Sequence, residues 1–464
     1  MRRRGHSLPV VAMIAAVTGA VALLVPGEGR GQATEQPHLT DVHVCWGVVG
    51  FTCGTLSVPL DHSGRVSGRL NLAVAVADTP QVPRRGFLLV VMPLQPGVRV
   101  ATAMAGKLAP ALREYRLVLY DQRGTGAGAL QCPQLQAQLG SAYLRRPTAG
   151  AVRSCAAAIG TRRQFYGTDD VVADMEQLRQ ALNADRWTLD GVGYGTYAAE
   201  RYALAHPNRI RRLVLDSVVP HDGSVQLLTA QMRRTGAVLR LACRTGQKCV
   251  GDPADDLAAV VRARHNGTAL LEALFNLGTV DSSYRTLFDV PRLLHEARLG
   301  NGRGLAAMVA ARAGGGPVSA YDLSAGLRAS ELCADLRWPW GSSAAPLAGR
   351  AEALRRAVER PPLHALWPFD RATARGNGFA RLCQLWPPST PTPASAPGAR
   401  LPNVPVLLLA GDRDVGTPIK WARHEAAAAP HATLVVVAGA GNAIQLCSIS
   451  NAGKRAINRF LLAH

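Results

Sequence analysis

The 464-residue chain is sparing with aromatic residues, which make up 5% of it, and with lysine, of which there are four (Lys107, Lys248, Lys420 and Lys454) among 52 basic residues. Its excess of base over acid, a net +20, is arginine scattered along the chain and never gathered into a block. Nucleic-acid surfaces use a clustered basic stripe or stacking aromatics, so nucleic acid is not expected as a partner. No two of the nine cysteines have C-x-x-C spacing, which argues against a thiolate metal site or a thioredoxin-like motif; neither a metal nor a cofactor is expected. Beyond residue 25 no apolar run is long enough to span a bilayer.

The N-terminus has Arg2, Arg3 and Arg4, an apolar run from Leu8 to Val25, and small residues at Gly31-Gln32-Ala33 before Thr34. That order is the signature of an export signal over residues 1–33. The alternative is an uncleaved anchor; a run of 18 residues, with Pro9 and Pro26 at its ends, is borderline for crossing ~30 Å of hydrocarbon. A secreted or envelope-associated protein would meet an oxidising compartment. The cysteine order suits local bridges, Cys45–Cys53, Cys132–Cys155, Cys243–Cys249 and Cys333–Cys383, with Cys447 left over. The positive charge admits attraction to anionic cell-envelope polymer.

With 48% hydrophobic residues the chain can bury a sizeable core. Strands are expected over 54–60 and 70–76, then as continuous apolar runs at 87–92, 116–120, 187–190 and 212–216, with helices over 101–112, 168–182 and 196–206 between them. Thr168 is placed to cap its helix, with Asp169 and Asp170 in the first turn. Alternating strand and helix argue a mostly parallel α/β sheet flanked by helices. The alternation stops near Pro220. The expected organisation is a core over 34–220, a mainly helical cap inserted over 221–386, a Pro-rich linker over 387–402, and a return to the core over 403–464.

Leu189-Asp190-Gly191-Val192-Gly193-Tyr194-Gly195-Thr196-Tyr197 reads as strand, sharp turn and helix. This is the setting of the G-x-S-x-G nucleophile elbow, with both outer glycines and no central serine. Around it, Val58-Pro59-Leu60-Asp61, Asp121-Gln122-Arg123-Gly124-Thr125-Gly126, Val214-Leu215-Asp216, Gly411-Asp412-Arg413-Asp414 with Thr417-Pro418, and Gly439-Ala440-Gly441 follow in order. Together with Tyr194-Gly195-Thr196 they resemble the secreted α/β-hydrolase exopeptidases typified by tripeptidyl aminopeptidase, over nearly the whole mature length. The resemblance implies an α/β-hydrolase fold with a helical cap and a Ser, Asp, His triad in that chain order.

Carried over position by position, the nucleophile falls on Gly193, the acid on Asp414 and the base on Asn442; only the acid survives. The oxyanion loop, glycine-paired in the family, reads Met92-Pro93-Leu94-Gln95-Pro96-Gly97, so Leu94 and Gln95 bring side chains to the pocket while the Tyr194 N–H remains as second donor. In such aminopeptidases a cap carboxylate often pairs with the substrate amine; Glu331 and Asp335 are either that group or ordinary helix-surface acids. Ser217, His424 and His431 have no partners that would let them replace the missing groups. Asp414 either still serves the site or only caps its turn, and Asp412 is expected to be solvated.

Glycine has no nucleophile and an asparagine amide takes up no proton at neutral pH. The expectation is therefore a pseudoenzyme that binds a peptide or other small ligand. Two alternatives stand beside it: a hydrolase with an unusual nucleophile or an activated water, and an envelope-associated structural protein.

Overall fold

A computed structural model of the chain describes residues 36–79, 83–92, 94–223, 229–245, 249–265, 267–280, 285–314, 316–396, 398–447 and 450–463. The expected export signal, residues 1–33, lies outside them, and so does the side chain of Cys447. Nine strands form one sheet: β1 (Leu39–Val44), β2 (Phe51–Pro59), β3 (Arg69–Ala77), β4 (Phe87–Val91), β5 (Arg116–Tyr120), β6 (Trp187–Val192), β7 (Ile210–Asp216), β8 (Pro405–Gly411) and β9 (His431–Val437). Their spatial order is β1-β2-β3-β5-β4-β6-β7-β8-β9. The first three are antiparallel, as is β3 to β5, and the remaining pairs are parallel. This is an α/β-hydrolase sheet, mostly parallel and flanked by helices.

The central strands are apolar on both faces because helices cover both. Leu89 and Val91 of β4 point into a cluster with Val171, Met175 and Leu178 from helix Thr168–Ala181 and with Ala199 and Tyr202 from helix Gly195–Ala205. Leu88 and Val90 point the other way, toward Met104 of helix Ala101–Leu108 and Ile457 and Leu461 of helix Ala452–Leu462. Period-two alternation thus feeds two cores from one strand. β1 was not foreseen: five of its six residues are exposed, so it carries no burial pattern to read.

Between β7 and β8 the regular elements of the described residues are all helices, joined by long loops. Their apolar faces make a third core, and helices Pro133–Leu139 and Ala149–Ile159, which precede residue 220, pack into it through Leu135, Leu139 and Val152. All four expected disulfides are present: Cys45–Cys53, Cys132–Cys155, Cys243–Cys249 and Cys333–Cys383. Among the described residues no helix is long and apolar enough to cross a membrane.

Thr168 does not cap its helix. The N-cap position is Gly167, and the Thr168 N–H and hydroxyl are both given to Asp335, at 3.0 and 2.6 Å. A buried carboxylate from the helical layer outcompetes the local turn.

Candidate active site

The parallel strands end along one edge, and the chain reverses there four times. β4 runs into the Leu94–Gln95 loop, β6 into Gly193, β7 into Ser217, and β8 into Asp414. Register holds these exits together: Val91 pairs with Gly191, Val192 with Asp216, and Asp216 with Leu409.

The turn at Gly193 is held by its own backbone. Its N–H donates to the Asp216 carbonyl at 2.8 Å, and its carbonyl accepts from the Thr196 hydroxyl at 2.8 Å. φ at Gly193 is +57°, a left-handed conformation that costs a non-glycine residue roughly 1–3 kcal/mol. Gly191 is required for a different reason. A Cβ there would lie 2.7 Å from the Gly195 carbonyl oxygen and 2.8 Å from the Thr196 Cα, because the helix starts against the strand. A Cβ at Gly193 meets only open space and, at 3.9 Å, the Asn442 side-chain oxygen.

Asn442 and Asp414 come together as the acid and base positions should. Asn442 Nδ2 donates to Asp414 Oδ2 at 3.1 Å and to Thr417 Oγ1 at 3.0 Å. Asp414 also accepts the Thr417 N–H at 2.9 Å and a short hydrogen bond from the Thr417 hydroxyl. The carboxylate therefore both caps its turn and orients residue 442. Burial pushes the Asp414 carboxyl up from its ordinary value, and the donors from Thr417 and Asn442 oppose that shift.

The loop carrying Asn442 is fixed from below. Ala443 N–H donates to Ser217 Oγ at 2.8 Å; Ile444 and Gln445 N–H donate to the Asp216 carboxylate at 3.0 and 2.9 Å. Ser217, at φ +64°, donates its own hydroxyl to Asp216. Ser217 is a brace and not a nucleophile. His431 opens β9 at the far end of that strand, and His424 sits exposed on helix Ile419–Ala428. Neither reaches position 193.

A cavity of about 390 Å³ opens over this edge. Gly193, Tyr194, Asn442, Leu94 and Gln95 line it, beneath residues of the helical layer that the sequence did not single out: Tyr143, Gln231, Phe275, Leu332 and Phe379. Four of these come from separate helices and Tyr143 from the loop between helices Pro133–Leu139 and Ala149–Ile159, with no shared motif, so only the fold assembles them. The walls are dominated by apolar side chains. Leu94 is buried and sits at φ +61°, and Gln95 is exposed at the rim. Gln231 gives its amide N–H to the Gly416 carbonyl, and its side-chain oxygen is buried without a protein partner.

Glu331 and Asp335 are not surface acids. Every residue of helix Ala325–Asp335 is buried. Asp335 accepts the Tyr194 hydroxyl at 2.7 Å, both Thr168 donors and a short hydrogen bond from Thr392. Those four donors use its oxygens. Glu331 accepts from Gln122 at 2.7 Å and is pushed well above the ordinary carboxyl range by burial and by Asp335. Asp412 is half-buried and accepts the Gly439 N–H at 2.7 Å, so it holds a turn.

Comparison with known proteins places parts of the chain in described families. A family model described as alpha/beta hydrolase fold matches residues 102–292, and one described as TAP-like protein matches residues 369–463. The serine protease Hip1 of Mycobacterium tuberculosis is 29% identical over 205 residues, which is 40% of this chain and 39% of that protein. The tripeptidyl aminopeptidase of Streptomyces coelicolor is 28% identical over 189 residues, 36% of this chain and 35% of that protein. The matched region thus spans well under half the length of these relatives. Among solved structures, a proline iminopeptidase from Mycobacterium smegmatis is 12% identical with a TM-score of 0.40, over 88% of this chain and 97% of that one.

Proposed function

From a chain that belongs to the α/β-hydrolase fold family and carries a TAP-like C-terminal segment, related to serine peptidases and aminopeptidases, we propose an exported pseudoenzyme whose pocket holds a small, predominantly apolar ligand. The observation that carries this reading is the site itself: Gly193 stands at the elbow, and Asn442 is hydrogen-bonded to Asp414 in the place of a general base. Acyl transfer needs an oxygen nucleophile and a group to take its proton. In an unrelated serine protease, loss of either costs on the order of 10⁶ in turnover. The residual rate there relies on an oxyanion hole, whereas here Leu94 and Gln95 occupy the loop that would build one.

The ligand class follows from the walls. Most of the pocket is aliphatic and aromatic, with Gln95, Gln231, Thr417 and Asn442 as the few amide and aliphatic hydroxyl side chains. A peptide entering by its free amine would want an unshared carboxylate; Asp335 is already saturated by four donors, and Glu331, whose second oxygen has no protein partner, does not line the pocket. Export is supported by the N-terminal pattern and by four disulfides. The net charge of +20 favours retention at anionic envelope polymer.

A fluorophosphonate probe tests the chemistry. Wild type should remain unlabelled, and clear labelling would sink the proposal. In Gly193→Ser with Asn442→His, the new hydroxyl enters open space beside residue 442, so labelling should appear in the double variant and stay near background in either single one. For the ligand, apolar fatty or aromatic acids should raise the thermal midpoint more than tripeptides do; the reverse order would return the pocket to peptides.

A further inference from the structure

Outside the lining of the pocket, three buried side chains converge from distant parts of the chain. Glu200 comes from helix Gly195–Ala205, His221 from the turn after β7, and Glu425 from helix Ile419–Ala428. Glu200 and Glu425 are fully buried and His221 is 4% exposed. One ligand atom from each lies within 4.8 Å of the others. His221 Nδ1 meets Glu425 Oε2 at 2.7 Å, and the His221 N–H donates to Glu425 Oε1 at 3.3 Å.

Glu200 is the anomaly. Both of its carboxylate oxygens are buried with no hydrogen-bond partner. Leaving one buried polar atom unsatisfied costs about 1–3 kcal/mol, and more for a charged group. Burial and the acidic neighbours Glu425 and Asp222 push its carboxyl well above the ordinary range, and among the described residues it has no ion pair. A second imidazole near the cluster, His424, is more than half exposed and 4.0 Å from Glu425.

We propose that Glu200, His221 and Glu425 bind one divalent first-row transition-metal ion of the zinc class. Two carboxylates would neutralise the ion and the imidazole would complete a mixed oxygen–nitrogen set. Imidazole with carboxylate suits zinc, cobalt or manganese; calcium prefers six to eight oxygens. The observed spread closes onto bonds of ~2.0–2.2 Å by small side-chain rotations. The ion satisfies the orphan oxygens of Glu200 and ties the elbow helix to the β7 exit and to helix Ile419–Ala428. None of the three residues lines the pocket, so the role is structural. It is independent of the proposed function.

The test uses the full exported chain with its disulfides intact. The protein is stripped with a chelator and titrated with Zn²⁺, following uptake by elemental analysis and the thermal midpoint by calorimetry. One equivalent per chain and a raised midpoint are expected. Glu200→Gln, which keeps the side-chain shape, should weaken uptake at least 100-fold and abolish the midpoint response; His221→Gln should do the same. Wild type that takes up neither Zn²⁺, Co²⁺ nor Mn²⁺ would overturn the proposal, as would Glu200→Gln binding like wild type. If the variants fail to fold, X-ray absorption on Zn²⁺-loaded wild type decides: a shell of oxygen and nitrogen supports the site, and sulfur in the shell refutes it.

Discussion

Gly191 and Gly193 stand two residues apart and are glycine for unrelated reasons, and a matched pair of substitutions separates them. A methyl at Gly193 meets no protein atom closer than 3.9 Å, so alanine there carries only the left-handed backbone cost, roughly 1–3 kcal/mol and toward its lower end for a small side chain. A methyl at Gly191 runs into backbone atoms at 2.7–2.9 Å that cannot yield without moving the helix off the strand; we expect Gly191→Ala to cost more than 3 kcal/mol. Chemical denaturation of the two variants gives the comparison, and equal losses would contradict the packing argument. Asp414 offers a second residue-scale test. It is fully buried and accepts from Thr417 twice and from Asn442. Asp414→Ala strands those donors and should destabilise by about 2–4 kcal/mol, with no change in probe labelling because none is expected in the parent. In a working triad the same change would act mainly on turnover, so a labelled parent whose labelling vanishes in this variant would identify Asp414 as a catalytic group instead.

At the scale of elements, the four disulfides clamp loops of different length, and the chain-entropy argument ranks them. Cys333–Cys383 closes a separation of 50 residues and joins helix Ala325–Asp335 to helix Gly378–Leu385, while Cys243–Cys249 closes only 6. Replacing the first pair by alanine should cost about 4 kcal/mol and the second about 2 kcal/mol, read from denaturant midpoints of the two double variants. The first loss should also loosen the roof of the pocket, since Leu332 and Phe379 flank its two cysteines. The bridges were legible because cysteine pairs declare themselves by type and order. The parallel strands were legible because burial on both faces leaves continuous apolar runs such as Phe87–Val91. β1 was not, since an exposed edge strand has no such run. The elbow could be placed from its strand, turn and helix, and the positions of the acid and the base from the resemblance to the exopeptidases, whose motifs surround them in sequence. The pocket roof and the Glu200, His221 and Glu425 cluster could not, since each collects single residues from elements that only tertiary folding brings together. Sequence left Glu331 and Asp335 between an amine-pairing role and the helix surface for the same reason: their burial is set by Thr168, Tyr194 and Gln122, far away in the chain.

For the whole molecule, the interior holds several carboxyl groups whose affinity for protons is raised by burial. Asp121, Asp170 and Asp216 are each pushed up to about 6, and Asp190, fully buried, to about 8 with only the Gln445 amide and, unfavourably, Asp216 beside it. The ordinary value of an aspartate is 3.8. A carboxyl that binds its proton more tightly in the folded state contributes stability that is fully present below pH ~4 and is lost as pH rises through the folded value. These groups therefore make stability fall from pH 4 toward pH 8, Asp190 over the widest span. Repulsion within a chain of net charge +20 acts in the opposite sense, growing as surface carboxylates are neutralised, but that happens mainly near and below pH 4. Between pH 5 and 8 the buried groups should govern the slope. Asp190→Asn keeps an oxygen for the Gln445 amide, whose bond is 2.8 Å in the wild type, and removes the titration. Its thermal midpoint should lie nearest wild type at about pH 4, exceed it increasingly from pH 5 to pH 8, and vary less across the interval. Parallel profiles for the two proteins would mean that Asp190 keeps its ordinary proton affinity in the folded chain, which would require water to reach a site enclosed by β4, β6 and β7.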